Sequence, residues 1–403
     1  MTTQTYDIVI SGAGIAGLSA ACALGQAGWQ VLCVDPTEPI TNSTAKGADL
    51  RTTAILQPGR QVLEEAGVWD RLGDRPSALQ IMRIVDAGGV EPAPRVVREF
   101  DAADISDRPF GWNVPNWLLR REMVARAAEI ATLEIRTGVG VASVLTRERE
   151  ARIRFSDGTS ARCSLLIAAD GRASPVRQAV GIPVTTTRYG QKALAFAVTH
   201  DLPHDSVSTE IHRSGGPFTL VPLPDHDGRP CSAVVWMERG VEAQRLMDLP
   251  VPAFETEMTA RSCALLGPLT LASRRTIWPL INQIAARMSG ERVALMAEAA
   301  HVVPPIGAQG LNMSLADLST LLDLSRNQPD TLGDRAMLEA YHKRRYSEIA
   351  VRVAGIDILN RASMAEGQRL RDVRARGLDA LYNLAPVRRM LMQLGLGMRS
   401  PAA

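Results

Sequence analysis

The sequence predicts an α/β fold. A Rossmann-like nucleotide-binding domain is joined to an antiparallel β-sheet domain and followed by C-terminal helices. Three observations carry this expectation: an N-terminal strand, glycine turn and helix; a series of strand-like segments between residues 186 and 240; and a helical pattern from Asp317 onward.

The first unit is the most explicit. Tyr6–Ser11 is an apolar strand, Gly12-Ala13-Gly14-Ile15-Ala16-Gly17 a GxGxxG turn, and an Ala/Leu-rich helix runs on to about Ala27. Gly28 stops that helix, and Val31–Asp35 is the next strand. In such a βαβ unit the first glycine allows a tight turn, the second lets a pyrophosphate approach the backbone, and the third lets helix and strand pack closely. Gly12, Gly14 and Gly17 take these places. Asp35 ends the second strand, where a carboxylate accepts hydrogen bonds from ribose hydroxyls.

Residues 36–49 read as a polar loop, Pro58–Gly67 as a helix, and Ile81–Asp101 as a Pro- and Val-rich crossing into a second lobe. Asn116–Ile130 reads as a helix returning to the first. Strands are expected at Val139–Leu145, Ala151–Phe155 and Leu165–Ala169. Ala193–Thr199, Val207–His212, Phe218–Pro222 and Ala233–Glu238, separated by turn signals, suggest an antiparallel sheet. Residues 242–267 are mostly helical. Glu291–Met296 is a strand, and the helices beyond Asp317 break near Pro329 and Pro386. The expected division is a discontinuous nucleotide-binding domain (1–75, 101–185 and 270–330), a substrate domain (76–100 and 186–269) and a C-terminal helical region (331–403).

Composition narrows the function. Of 403 residues, 46% are apolar and 22% charged, as in ordinary globular proteins. A net charge of +2 without a Lys/Arg block argues against nucleic acid. No apolar run reaches membrane-spanning length, and a strand beginning by Tyr6 leaves no room for a signal peptide. Five scattered cysteines, never spaced CxxC, read as buried free thiols in a reducing cytoplasm and not as a metal site.

Two further motifs carry chemistry. Asp170-Gly171-Arg172-Ala173-Ser174-Pro175-Val176-Arg177 follows an apolar strand and opens a helix, which brings Asp170 beside the first βα turn. Ala297-Glu298-Ala299-Ala300-His301-Val302-Val303-Pro304-Pro305-Ile306-Gly307-Ala308-Gln309-Gly310-Leu311-Asn312 reads as a strand end, a loop of small residues and prolines, and a helix opening near Gly310. Gly307 and Gly310 let a flat ligand approach the backbone, and the helix N–H groups favour electron density on it. His301 reads as a hydrogen-bonded structural histidine. Tyr341, His342, Arg344 and Arg345 read as a solvated helix face.

Together these motifs resemble the single-component, FAD-dependent aromatic hydroxylases. Asp170, Gly171, Ser174, Val176 and Arg177 match their DGxxSxVR segment, and His301, Pro305, Gly310, Asn312 and Asp317 match GDAAHxxxP…GxNxGxxD. Ala297-Glu298 replaces the Gly-Asp pair, which sets the carboxylate one methylene farther out, and Ser314 replaces a glycine. Within the family the chain looks most like the ubiquinone-biosynthesis hydroxylases. Asp49-Leu50-Arg51 before an Ala-Ile-Leu helix, Gly111–Asn116 (with Trp117 where arginine is frequent) and Gly216–Leu223 followed by Val235-Trp236 match their patterns.

The resemblance implies a bound FAD held by Gly12, Gly14, Gly17, Asp35, Arg51, Asn116, Asp170, Gly171, Glu298, Pro305, Gly310, Leu311 and Asn312. It makes Pro304, Pro305 and Gly307 the flavin-side wall. It implies NAD(P)H as a transient co-substrate, dioxygen, and a prenylated phenolic substrate. A hydroxylase of a small aromatic acid, or a non-catalytic assembly protein keeping the flavoprotein fold, are the alternatives. Also open are a homo-oligomer, a quinone-biosynthesis complex, and a cytoplasmic location with or without contact with the inner membrane. Leu378–Leu384 and Val387–Leu394, beside Arg388, Arg389 and Arg399, read as helices that either cover the core or meet a membrane.

Overall fold

Ile8-Val9-Ile10, Val31-Leu32-Cys33-Val34 and Leu165-Leu166-Ile167 are continuous apolar runs, the pattern of strands buried on both faces. A computed structural model describes residues 4–91, 93–365 and 367–396, and each of these runs is a buried strand in it. In chain order the elements are β1 (Gln4–Ser11), α1 (Ile15–Gln26), β2 (Val31–Asp35), β3 (Thr52–Leu56), α2 (Gln57–Glu65), β4 (Ser77–Leu79), β5 (Ile81–Asp86), β6 (Val96–Asp101), β7 (Gly111–Pro115) and α3 (Asn116–Ala127). Next come β8 (Leu133–Thr137), β9 (Val141–Thr146), β10 (Ala151–Phe155), β11 (Ser160–Ala168), α4 (Pro175–Ala179), β12 (Val184–Thr199), β13 (Val207–His212), β14 (Pro217–His226), β15 (Arg229–Arg239), α5 (Gly240–Asp248) and α6 (Val251–Arg261). The remainder is β16 (Thr270–Leu271), β17 (Thr276–Ala285), β18 (Ser289–Gly290), β19 (Val293–Leu295), β20 (His301–Val302), α7 (Gln309–Asn327), α8 (Arg335–Ser363), α9 (Gln368–Asn383) and α10 (Ala385–Leu396).

In the first sheet β19, β11, β1, β2 and β8 lie side by side and parallel. β18 pairs antiparallel at one edge, and β9 and β10 extend from β11. α1 is buried almost all round, as expected of a helix made of Ala, Leu and Gly. The register matters for function. Ser11 pairs with both Val34 and Ala168, and Ala168 with Leu295. Four neighbouring strands therefore finish level at their carboxyl ends. The chain leaving them carries Gly12, Asp35, Asp170 and Ala297.

The second sheet runs β20-β17-β12-β15-β14-β13-β5-β6, with β16 beside β12. It is antiparallel except for β5 against β13, which run parallel because β5 comes from a distant segment. Successive side chains on a strand point to opposite faces. One face buries Leu194, Phe196, Phe218 and Trp236 under Leu246, Phe254 and Met258 of α5 and α6. The other carries Ala193, Met237 and Leu280 against Ile306 and Ile356. A small third sheet, β3-β7-β4, lies alongside.

Three expectations need correction. Ala54-Ile55-Leu56 is strand β3 and not helix, because Thr52, Thr53 and Ile55 are β-branched and Pro58 sits in the first turn of α2, which starts at Gln57. The span 270–330 supplies strands to both large sheets: β16, β17 and β20 to the second, β18 and β19 to the first. Tyr341 and Arg345 are buried, whereas Arg344 is exposed and His342 half-buried. Of the C-terminal residues singled out, Arg399 lies outside the described residues.

Candidate active site

The glycine turn is shaped from within at two of its three positions. Gly12 has φ +108°, and a Cβ there would lie 2.4 Å from the carbonyl oxygen of Ala169. A Cβ on Gly17 would lie 1.9 Å from the carbonyl oxygen of Gly12. Gly14 is different: its backbone is extended, and a Cβ would meet nothing within 4 Å. No protein atom explains that glycine, and open space lies before it. Asp35 braces the turn: its Oδ2 accepts from the Ala13 N–H at 2.7 Å, and its Oδ1 from the N–H and hydroxyl of Thr37, both at 2.8 Å.

Asp170 stands level with this turn. Its Oδ2 accepts from Ser11 Oγ and from the Val176 N–H, both at 3.2 Å. Its Oδ1 is buried without a partner. Burial pushes its pKa up. A buried, orphaned acceptor is costly unless something donates to it, so a hydroxyl-bearing ligand fits there. Ser174 caps α4 by accepting from the Arg177 N–H at 3.0 Å. Arg177 is not a surface residue. Its guanidinium is buried and donates to the carbonyls of Ala299 at 2.8 Å and Arg172 at 3.0 Å, tying the second motif to the third.

In the third motif Ala297 has φ +55°, left-handed backbone that costs a residue with a Cβ about 1 kcal/mol. The Glu298 carboxylate is half-exposed and pairs with Arg172 at 3.3 Å. Gly307 and Ala308 are also left-handed, and Ala308 leads into α7 without a side-chain cap. A Cβ on Gly310 would meet nothing within 4 Å. The first turn of α7 thus offers N–H groups beside open space. The Asn312 side chain is already engaged. Its Nδ2 donates to the carbonyls of Ala54 and Ala308, both at 2.7 Å, and its Oδ1 accepts from the Leu56 N–H at 2.9 Å. Leu311 beside it is half-buried, and Ser314 turns its hydroxyl back onto the Gly310 carbonyl at 3.0 Å.

Arg51 makes a two-pronged contact with Asp49 at 2.7 and 2.8 Å. Asn116 donates to the same carboxylate at 2.9 Å and accepts from Thr53 Oγ1 at 2.8 Å. Burial works against the Asp49 charge, but the Arg51 and Asn116 contacts outweigh it and hold the pKa below the usual range. The Arg51 guanidinium lies 5.2 Å from the Trp278 ring centroid and feels the charge of Glu298. Gly171, where the chain turns after Asp170, is also left-handed and meets nothing.

His301 is the hydrogen-bonded structural histidine that the sequence suggested, but the part that Tyr341 and Arg345 play beneath the third motif was missed. His301 donates to Asp317 at 2.7 Å, and Arg345 donates to the other oxygen of the same carboxylate at 2.8 Å, all buried. The Tyr341 hydroxyl donates to the Leu295 carbonyl at 2.8 Å. A signal existed: Met337, Leu338, Tyr341, Arg345 and Ile349 recur at helical spacing, so Arg345 sits on an inward stripe. Gln309 was also missed. Its Nε2 donates to the carbonyls of Gly307 at 2.8 Å and Gly395 at 3.0 Å, and its Oε1 accepts from Arg352 at 2.7 Å.

A glycine turn that opens on free space at Gly14, acidic groups level at the carboxyl edge of a parallel sheet and an uncapped helix start define a dinucleotide-binding α/β protein. Residues 5–354 match the family described as FAD binding domain. The ubiquinone hydroxylase UbiL of Rhodospirillum rubrum is 30% identical, over 98% of this chain and 90% of that protein. The 3-demethoxyubiquinol 3-hydroxylase of Escherichia coli is 25% identical, over 99% of this chain and 100% of that one. The crystal structure of p-nitrophenol 4-monooxygenase from Pseudomonas putida shares the fold, with a TM-score of 0.78 and 19% identity over 99% of this chain and 100% of that one. The chain belongs to the FAD-dependent aromatic hydroxylase family, in the branch of the ubiquinone-biosynthesis hydroxylases.

Proposed function

We propose that the protein hydroxylates the aromatic ring of a polyprenylated phenol in ubiquinone biosynthesis, with FAD bound, NAD(P)H as transient reductant and dioxygen as oxygen donor. The observation that supports this substrate is the apolar sheet face beside the 304–307 loop. Ala193, Val235, Met237, Trp278 and Leu280 meet Ile306 of that loop and Val303 just before it, together with Ile356 of α8. An aromatic ring with a hydrocarbon tail suits such a face, whereas a carboxylate there would lose its hydration without gaining a partner. The Tyr189 hydroxyl, at the rim of this sheet, is taken by Asp357 at 2.6 Å.

When bound, the flavin supplies the redox chemistry that activates dioxygen. The chain's own residues bind, orient and exclude water. Gly14 would admit the pyrophosphate, in a turn that Gly12 and Gly17 make possible; Asp35, Asp170 and Glu298 would accept from hydroxyls of the cofactor. Arg51, Asn116 and Gly171 border it. Pro304, Pro305 and Gly307 would wall the ring, and the N–H groups of Gly310, Leu311 and Asn312 would stabilise negative charge beside it. His301 takes no part in proton transfer, since Asp317 holds it away from solvent. A polyprenyl tail partitions into lipid, so the protein would work at the cytoplasmic surface of the inner membrane.

Quinone-intermediate profiling of a deletion strain tests the reading. A demethoxy or deoxy intermediate should accumulate and disappear on complementation. An unchanged quinone profile, with purified protein that hydroxylates a small aromatic acid and not a prenylated phenol, would overturn it.

A further inference from the structure

A surface helix of a globular protein turns its apolar stripe to the core and its charges to water. α9 departs from this. Three of its charged residues reach the body: Asp372 pairs with Arg95 at 2.7 Å, Asp379 with Arg98, and Arg374 with Asp86 at 2.8 Å. Its larger aliphatic residues, except the half-buried Leu378, face outward. Leu370, Val373, Leu381 and Leu384 are 49–65% exposed and, with Gly377 and Ala380, form one stripe at helical spacing. α10 continues the surface with exposed Met390 and Leu391, while Met392 and Leu396 turn inward against Leu56 and Phe110. The inversion is built: the ion pairs to β5 and β6 fix which way α9 faces.

Charge identifies what covers the stripe. α9 and α10 carry six arginines and two aspartates, and both aspartates are neutralised by arginines of β6 or the turn before it. Arg369, Arg376 and Arg389 are exposed and have no ion pair among the described residues. Arg388 is engaged, lying 3.3 Å from Asp104 and over the Tyr382 ring. An apolar stripe bordered by free arginines repels its own copy in a two-fold contact and attracts anionic headgroups. No helix among the described residues is long and apolar enough to cross a membrane, so contact lies in the interface plane.

We propose that the outward face of α9, continued by α10, rests on an anionic lipid bilayer. The proposal deepens the polyprenyl-substrate reading and rests on it for its purpose, which is access to a substrate dissolved in lipid.

The test uses the FAD-loaded full chain in co-sedimentation with vesicles of phosphatidylcholine, alone or mixed with phosphatidylglycerol, at low and high salt. The wild type should sediment with the anionic vesicles and be released in part by salt. V373D/L381D and R369E/R376E should each lower partitioning about tenfold, at unchanged FAD content and melting temperature. A wild type that ignores both vesicle types at every salt concentration overturns the proposal, as do variants that bind like the wild type. So does a wild-type dimer, seen by light scattering, that V373D/L381D renders monomeric. Hydroxylation of a short-chain, water-dispersed prenylphenol is measured in parallel. Activity there without vesicle binding refutes the docking surface alone, whereas absent activity with intact vesicle binding refutes the substrate reading alone.

Discussion

His301 Nε2 and Asp317 Oδ2 lie 2.7 Å apart, with both side chains sealed from water. An ionised carboxylate only accepts, so the imidazole donates. Burial pushes the Asp317 pKa up, but His301 and Arg345 outweigh burial and hold it below the usual carboxylate value. The stabilisation from such a depressed carboxylate is present above the unfolded value, about 3.9, and lost as pH falls through the folded value. Asp317→Asn should therefore cost about 3–5 kcal/mol near neutrality, the usual loss when a buried ion pair is broken. Urea-unfolding curves of wild type and variant should converge as the medium is acidified. A constant gap between them would show that the charge of Asp317 contributes nothing.

Gly14 and Gly17 should separate cofactor binding from folding. Gly14→Val puts a side chain into open space on an extended backbone, so the flavin-free protein should keep its melting temperature and lose FAD. Gly17→Ala drives a Cβ into the Gly12 carbonyl and should cost about 1–3 kcal/mol even without flavin. Full FAD content in purified Gly14→Val would refute the phosphate position.

Glu298 tests the longer carboxylate. Glu298→Ala should weaken FAD binding by about 1–3 kcal/mol, and Glu298→Asp should preserve it. Apo stability should hold within about 0.5 kcal/mol, because the pair with Arg172 is exposed. Equal flavin affinity in all three proteins, measured by fluorescence titration, would remove Glu298 from the site.

The thiols should be inert. Burial pushes Cys22 and Cys163 up to about 12 and Cys231 to about 11, and Cys33 is raised as well. At mildly alkaline pH a thiol reagent should label the half-buried Cys263 first and the others only after unfolding. Rapid labelling of two or more thiols in the native protein would contradict the buried placement.

What was legible in the sequence is what neighbouring residues decide. Gly12–Gly17 between two apolar runs, and Leu165–Asp170, read correctly because turn and strand chemistry are local. β17 did not, because Pro279 and the adjacent Asn282 and Gln283 break its alternation. Those two amides are buried only because Val353 and Arg172 supply carbonyl acceptors from far along the chain. The side chain of Asn312 looked like a ligand contact and is spent on β3, a strand whose existence depends on pairing with β7. The direction α9 faces is likewise invisible in its own periodicity, since arginines near β5 and β6 decide it.

The strand at the heart of the first sheet also sets a timetable. β1 leaves the ribosome long before β11, so Ile8 must wait for Leu165, and Leu166 in turn for Val293. Pairings between such distant segments are slow to form. The emerging glycine turn has β2 and Asp35 beside it early, but it gains β11 and Asp170 later and the third motif only when most of the chain has been made, so during synthesis it is an apolar βαβ unit with an open strand edge and a natural client for chaperones. FAD can be captured only near the end of that process. Cells that make the protein faster than β19 can dock should accumulate colourless, aggregation-prone chains, and slower synthesis should raise the yield of yellow protein more than added flavin does.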